Sequence, residues 1–356
     1  MQTRSKWILG GIATGTLVAG AAAGVGTVLA ARRTIRALGK LRGDDLRGRT
    51  VLITGSSRGL GLAMAEEFAR QGCNIVLCAR DAQALMRARQ RVERLGAEVG
   101  AVACDVSRPD EVQHLITSAR RQFGHIDILV NNAGVMTVGP LLSQRIEDFQ
   151  EAMDVIFWGM VHPTLAVLPE MVERRQGRIV NITSIGGKVS LPHLLPYGCA
   201  KFATVGFSEG LHAELKKFGV DVLTVVPGLM RTGSHLKAFF KGKNREEFNW
   251  FALSGTNPLL SVSAEHAARR VVNATRRKQA GVTIGWQAGV LARAHGVAPG
   301  VVSEVLALVD RLLPDSEGGT IKKKSSRESQ SAVSRSLLTA LGRRAARRYN
   351  QMEEAA

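Results

Sequence analysis

The sequence predicts an α/β protein, a doubly wound parallel sheet with helices on both faces, preceded by a single transmembrane helix. Three observations carry that expectation. Between residues 48 and 286, short apolar runs alternate with longer amphipathic segments, the pattern of strands and crossover helices in a parallel sheet. A glycine-rich turn follows the first apolar run. Ahead of both, residues 7–31 form 25 consecutive positions without a charge.

As a helix that N-terminal run would measure roughly 37 Å, enough to cross a hydrocarbon core of about 30 Å. Gly11 and Gly15, then Gly20 and Gly24, repeat a small-xxx-small spacing that lets two helices approach closely. Arg4 and Lys6 precede the run, whereas Arg32, Arg33, Arg36, Lys40 and Arg42 follow it. The heavier positive flank predicts a single-pass anchor with the rest of the chain in the cytoplasm. A cleaved secretory leader, with small residues at 21–23 for the peptidase, is the alternative. The expected organisation is an anchor and basic juxtamembrane segment over residues 1–47, a sheet domain over 48–286 and a C-terminal extension over 287–356.

The formal charge of +18 is densest at the two ends, with +7 over residues 1–49 and +4 over 315–356. Basic ends point to an anionic surface. No zinc-finger spacing or recognition helix accompanies them, so membrane lipid is the expected partner, not nucleic acid, and no metal is expected. Cys73, Cys78, Cys104 and Cys199 lack CxxC spacing, which predicts buried free thiols in a reducing compartment.

Strands are expected at Thr50–Thr54, Asn74–Ala79, Val99–Ala103 and Ile128–Asn131, then over residues 178–183, 221–226 and 281–285. Helices over residues 59–71, 85–95, 110–123, 146–174 and 197–218 connect them. Farther on, residues 301–313 have helical apolar periodicity. Residues 315–334, polar and carrying Lys322-Lys323-Lys324, read as a disordered linker, and 336–349 as a short basic helix, either a peripheral membrane contact or, more commonly for such a run, a solvated basic tail.

The first strand runs into Thr54-Gly55-Ser56-Ser57-Arg58-Gly59-Leu60-Gly61. Glycines here let the backbone turn tightly and approach a pyrophosphate, which faces free N–H groups at a helix start. Strand, glycine turn and helix in this order describe a Rossmann-like, dinucleotide-binding edge. Cofactor choice rests on the end of the second strand, Cys78-Ala79-Arg80-Asp81. Arg80 would pair with a 2′-phosphate and Arg58 would add a second cation, favouring NADP(H) over NAD(H). Asp81 is placed to neutralise Arg80, and the two readings stay open at this point.

With these motifs in place, the chain resembles the short-chain dehydrogenase/reductase family over about residues 48–286. Asp105-Val106 follows the third strand, where the resemblance implies a contact with adenine. Asn131-Asn132-Ala133-Gly134 matches the family's structural and cofactor-lining motif. Ser184 and Tyr197-x-x-x-Lys201, with 13 positions from Ser to Tyr, match its active site. Pro227-Gly228 with Thr232 matches the loop that meets the nicotinamide amide. The resemblance implies an oxidoreductase that interconverts an alcohol and a carbonyl, and a homodimer or homotetramer.

The chemistry asks for these residue types. Hydride transfer at a carbon bearing oxygen requires that oxygen to gain or lose a proton. Tyr197 would exchange it, although a phenol near pKa 10 is poorly matched to neutral pH. An ammonium one turn away at Lys201 would favour the phenolate, and Ser184 would hold the substrate oxygen. One position departs from the family: Ile156 stands where an Asn usually holds a water in the proton relay. That departure keeps a second reading alive, a non-catalytic, cofactor-binding membrane scaffold.

Residues 229–263 break the regular alternation and gather Phe239, Phe240, Phe248, Trp250 and Phe251. The resemblance makes this segment a lid over the substrate. Its rings either line a site for an apolar small molecule or pack the lid onto the core. Lys237, Lys241, Lys243 and Arg245 between them suit contact with anionic lipid.

Overall fold

The computed structural model describes residues 43–316, 318–331 and 339–351. The expected transmembrane helix lies outside the described residues. Seven parallel strands form the main sheet: β1 (Thr50–Thr54), β2 (Asn74–Ala79), β3 (Val99–Ala103), β4 (Ile128–Asn131), β6 (Gly177–Ile182), β7 (Val220–Pro227) and β11 (Gly281–Ile284). Between β4 and β6 lies the two-residue strand β5 (Thr137–Val138). The order β11-β7-β6-β4-β1-β2-β3 reverses between β1 and β4, which opens a crevice beyond the carboxyl ends of those strands.

Alternation along the strands builds two cores. Val51, Ile53, Ile75 and Leu77 face α1 (Gly59–Arg70), α2 (Ala82–Glu93) and, later in the chain, the helix Ala264–Arg276. Leu52, Val76 and Cys78 face the opposite side, with α3 (Pro109–Phe123) and the helix Gly159–Glu173. Local chemistry starts and stops these helices. Asp81 caps α2 by accepting from the Ala84 N–H. Pro109 opens α3, with Asp110 and Glu111 in its first turn, and Gly124 at φ +79° closes it.

The helix expected over residues 146–174 is three pieces: α4 (Ile146–Ala152), a π-helical stretch Met153–Trp158 and α5 (Gly159–Glu173). A continuous amphipathic pattern does not reveal the wider turn, which re-aims Ile156 into the core. Among the described residues, Ile146–Glu173 is also the one segment long and apolar enough to cross a bilayer, yet it packs between α3 and the catalytic-motif helix α6 (Leu195–Leu215) as a core element.

A buried polar chain crosses the centre of the sheet. Asn131 donates to Thr164 and to Asn181, Asn181 donates to Ser208, and Ser208 shares a hydrogen bond with Thr224.

After β7 the chain builds the lid: β8 (Met230–Arg231), β9 (Phe239–Gly242), α7 (Asn244–Thr256) and β10 (Val262–Ser263), which leads into α8 (Ala264–Arg276). Beyond β11 come α9 (Trp286–Val297), α10 (Pro299–Asp310), β12 (Thr320–Ser325), the one-turn α11 (Ser326–Ser329) and α12 (Ala340–Arg348). Within the segment expected as a disordered linker over 315–334, residues 320–329 are structured: β12 pairs with the antiparallel edge of β9, completes a small β12-β9-β5 sheet and leads into α11. The described residues from Asp45 onward cluster as one compact unit.

Candidate active site

The glycine turn opens a cleft of about 550 Å³ at the β1–β4 switch point. Its shape depends on missing side chains: a Cβ on Gly61 would overlap the Gly55 carbonyl oxygen, and one on Gly55 would lie 2.9 Å from Ala133 Cα. Gly55 and Gly59 sit at φ +62° and +59°, which an L side chain resists. α1 receives no side-chain cap, so its first turn presents backbone N–H groups toward the cleft. Ser57, Leu60, Ala133, Gly134, Asp105 and Val106 continue the lining.

Asn132 also reaches the cleft, but its amide donates to the Thr54 and Gly55 carbonyls and so clamps β1 to β4. At the β2 end of the cleft, the acid expected to neutralise Arg80 does something else. Asp81 pairs with Arg58 at 2.7 Å while capping α2, and Arg80 stands exposed with Asp105 3.7 Å away. Both arginines remain on the cleft wall. A helix start without a side-chain cap, glycines at 55, 59 and 61 and two guanidinium groups at one end fit a phosphate-bearing dinucleotide.

At the other end β6 and α6 bring together the three residues spaced for proton chemistry. Ser184 follows β6, and its Oγ accepts from the Gly186 N–H at 3.0 Å while sharing a hydrogen bond with Tyr197. Tyr197 and Lys201 lie one turn apart on α6, with Lys201 Nζ 5.7 Å from the phenol ring centre. Lys201 is buried and donates to the Ile182 carbonyl at 2.8 Å.

Burial pushes the Tyr197 phenol up from its ordinary value, with the Ser184 hydrogen bond working against that rise. Burial pulls Lys201 down to about 8. The two groups are desolvated together, and the Lys201 Nζ donates to a carbonyl and not to the phenol oxygen. Ile156 adds to this dryness: it is buried against Tyr197, Ala152 and Ala200, where an Asn would hold water. Asp154, two positions earlier, is exposed.

Pro227, Gly228 and Thr232 line the cleft beside these residues, with the Gly228 N–H tied to the Ile284 carbonyl. The lid aromatics divide. Phe240 and Phe248 are buried in the lid's own core, whereas Phe239 and Phe251 reach the cleft wall. Lys241 does not face lipid; it is buried in an ion pair with Asp148, and Lys243 pairs with Asp315. Cys73, Cys78 and Cys104 are buried free thiols, but Cys199 is exposed on the outer face of α6.

Sequence reasoning misses several lining residues. Leu191 and Leu194 lie in the interval between Ser184 and Tyr197, where their apolarity is the available signal. His235 lines the lid side, its ring tilted over Phe248 at 6.0 Å, and burial pulls it down to about 4. Gln351 reaches the cleft from the far end of the chain, with no motif to announce it.

Residues 49–240 match the family model described as short chain dehydrogenase. The chain belongs to that family, oxidoreductases that act on CH–OH groups with a nicotinamide dinucleotide. It is 38% identical over 198 residues to a dehydrogenase/reductase SDR family protein 7-like of Anopheles gambiae, covering 54% of this chain and 62% of that protein. It is 34% identical over 255 residues to an 11-beta-hydroxysteroid dehydrogenase A of Sesamum indicum, covering 69% and 71%. Among solved structures, the L-sorbose reductase of Gluconobacter frateurii, complexed with NADPH and L-sorbose, aligns with a TM-score of 0.60 and 30% identity over 68% of this chain and 96% of that one.

Proposed function

We propose that this protein interconverts an alcohol and a carbonyl on an apolar small molecule with NADP(H). The observation that carries the reading is the convergence of Ser184, Tyr197 and Lys201 on the cleft that the glycine turn opens. The dinucleotide, when bound, supplies or accepts the hydride. Ser184 Oγ hydrogen-bonds the substrate oxygen, and Tyr197 Oη gives that oxygen a proton or takes one from it. Lys201, poised near its own titration point, favours the phenolate as it gains charge. Gly55, Ser57, Gly59, Leu60 and Gly61 hold the pyrophosphate, Arg58 and Arg80 the 2′-phosphate, and Asp105 and Val106 the adenine. Asn132, Ala133, Gly134, Pro227, Gly228 and Thr232 border the ring end. Leu191, Leu194, Phe239 and Phe251 make the substrate side apolar.

A membrane setting agrees with that substrate class. The uncharged run over residues 7–31 would provide an anchor, and α9 and α10 expose Trp286, Val297, Val301 and Leu308. The test is NADPH consumption by the full chain over a panel of apolar ketones and aldehydes. Consumption that vanishes in Tyr197→Phe supports the enzyme. A second reading, a cofactor-binding scaffold without turnover, is favoured by one observation, the packing of Ile156 against Tyr197. NADPH binding without consumption across the panel would select it.

A further inference from the structure

The C-terminal segment from Ala340 to Gln351 lies across the glycine turn and is held there by its own set of contacts. α12 seats its small residues: a Cβ on Gly342 would overlap Thr256, and one on Gly233 would overlap Ala346. Beyond α12, Tyr349 is buried, its phenol bonded to Glu265 and its ring flanked by the Arg91 and Arg348 guanidiniums, each 5.7 Å from its centre. Arg348 also pairs with Glu265 at 2.9 Å, and Arg91 donates to the Arg348 carbonyl.

Three groups then reach the glycine turn, one of them entering its cleft. The Tyr349 carbonyl accepts from the Gly59 N–H at 2.9 Å. Asn350, in the left-handed region at φ +56°, donates to the Ser57 carbonyl at 2.8 Å and to the Ala84 carbonyl at 3.1 Å. Gln351 enters the cleft with 6% of its surface exposed and its Oε1 without a partner. Its Nε2 lies 2.7 Å from where a Cβ on Gly59 would stand.

We propose that this strap is a tethered competitor of the dinucleotide phosphates, so that strap docking and cofactor binding exclude one another. The proposal rests on the glycine turn being a dinucleotide site. The first-turn N–H groups of a helix are what an anion uses, and an N–H already given to a carbonyl is not available to a phosphate oxygen. The strap supplies α1 with the cap that no side chain provides. It also fills with an amide side chain the space that glycine leaves clear. A lid closing over bound cofactor would leave the Gly59 N–H to the ligand; here the strap takes it.

The test uses the full chain and two readouts. NADPH affinity is measured by cofactor fluorescence in wild type, Ala346→Glu, which unseats α12 from Gly233, and Gln351→Ala, which empties the cleft without disturbing the helix. If the strap is docked about nine times in ten, unseating it tightens NADPH binding about tenfold. Gln351→Ala should tighten it in the same direction by less. Trypsin cleavage at Arg347 and Arg348 in wild type should quicken when NADPH is added. NADPH that protects those bonds, with weaker binding in both variants, would make the strap a lid and overturn the proposal. Equal binding in all three proteins, with cleavage unmoved by NADPH, overturns it too. Absence of NADPH and NADH binding in wild type and both variants is a different signature: it removes the dinucleotide reading itself, and this proposal with it.

Discussion

Two lysines are buried to nearly the same depth, one beside the catalytic motif and one in the lid, and they have opposite surroundings. Lys241 on β9 lies against Asp148, which also accepts from the Arg145 N–H and from Lys323. Burial opposes ionisation of Asp148, but those hydrogen bonds hold its carboxyl below the usual carboxylate range. Lys201 on α6 has a carbonyl for a partner, and burial pulls it down to about 8. A matched charge builds a joint between lid and sheet domain. An unmatched one stores a cost that becomes useful beside a phenol, because the ammonium is better accommodated once that phenol ionises.

The comparison can be broken in several ways, beginning with the largest effect. Tyr197→Phe removes the proton donor and should lower kcat by about 10²–10⁴-fold while leaving NADPH affinity unchanged. Severing the other pair, Lys241→Met leaves Asp148 with only Lys323 and the Arg145 N–H and should cost about 1–3 kcal/mol in urea unfolding. A cost near zero there would make the lid pair dispensable.

Lys201→Met should abolish turnover yet stabilise the cofactor-free protein. A lysine with a folded value of about 8 against an ordinary 10.5 carries its burial cost fully below pH 8. Between pH 8 and 10.5 the unfolded chain binds more protons than the folded one, so stability rises with pH across that window, by up to about 3 kcal/mol. The variant should lack this rise and gain its advantage at pH 7. Wild-type stability that is flat between pH 8 and 10.5 would contradict the buried, unmatched ammonium.

Ile156→Asn places an amide in a dry cluster and should cost about 1–3 kcal/mol, with kcat rising if water then enters beside Lys201. The smallest effect is expected at the exposed Arg80: Arg80→Ala should weaken NADPH binding by about 1–2 kcal/mol and leave NADH binding unmoved. Equal weakening of both cofactors would defeat the 2′-phosphate assignment.

The same contrast explains what the sequence makes legible. The seven strands of the main sheet read clearly because buried parallel strands are continuous apolar runs, and Ser184, Tyr197 and Lys201 fall at a recognisable spacing. The lid does not read that way. β5, β8, β9, β10 and β12 exist through pairing with distant segments: β12 is polar and basic, and becomes a strand because β9 offers an open edge. Lys241 looks like a surface cation until Asp148, almost a hundred residues away, is brought beside it. The π-helical turn leaves the apolar periodicity nearly intact, and so hides the direction in which Ile156 points. Gln351 belongs to no motif, since its place follows from where α12 docks.

The polar chain through the centre of the sheet carries a consequence for how these strands find one another. Asn131 on β4 stands directly across from Asn181 on β6, and the line continues through Ser208 on α6 to Thr224 on β7. Slide β6 by a single residue and its side chains change faces, leaving several amides and hydroxyls stranded in hydrocarbon. Greasy strands alone would tolerate many alignments. This row of hydrogen bonds accepts one, and so sets where Ser184, two residues beyond the end of β6, meets Tyr197.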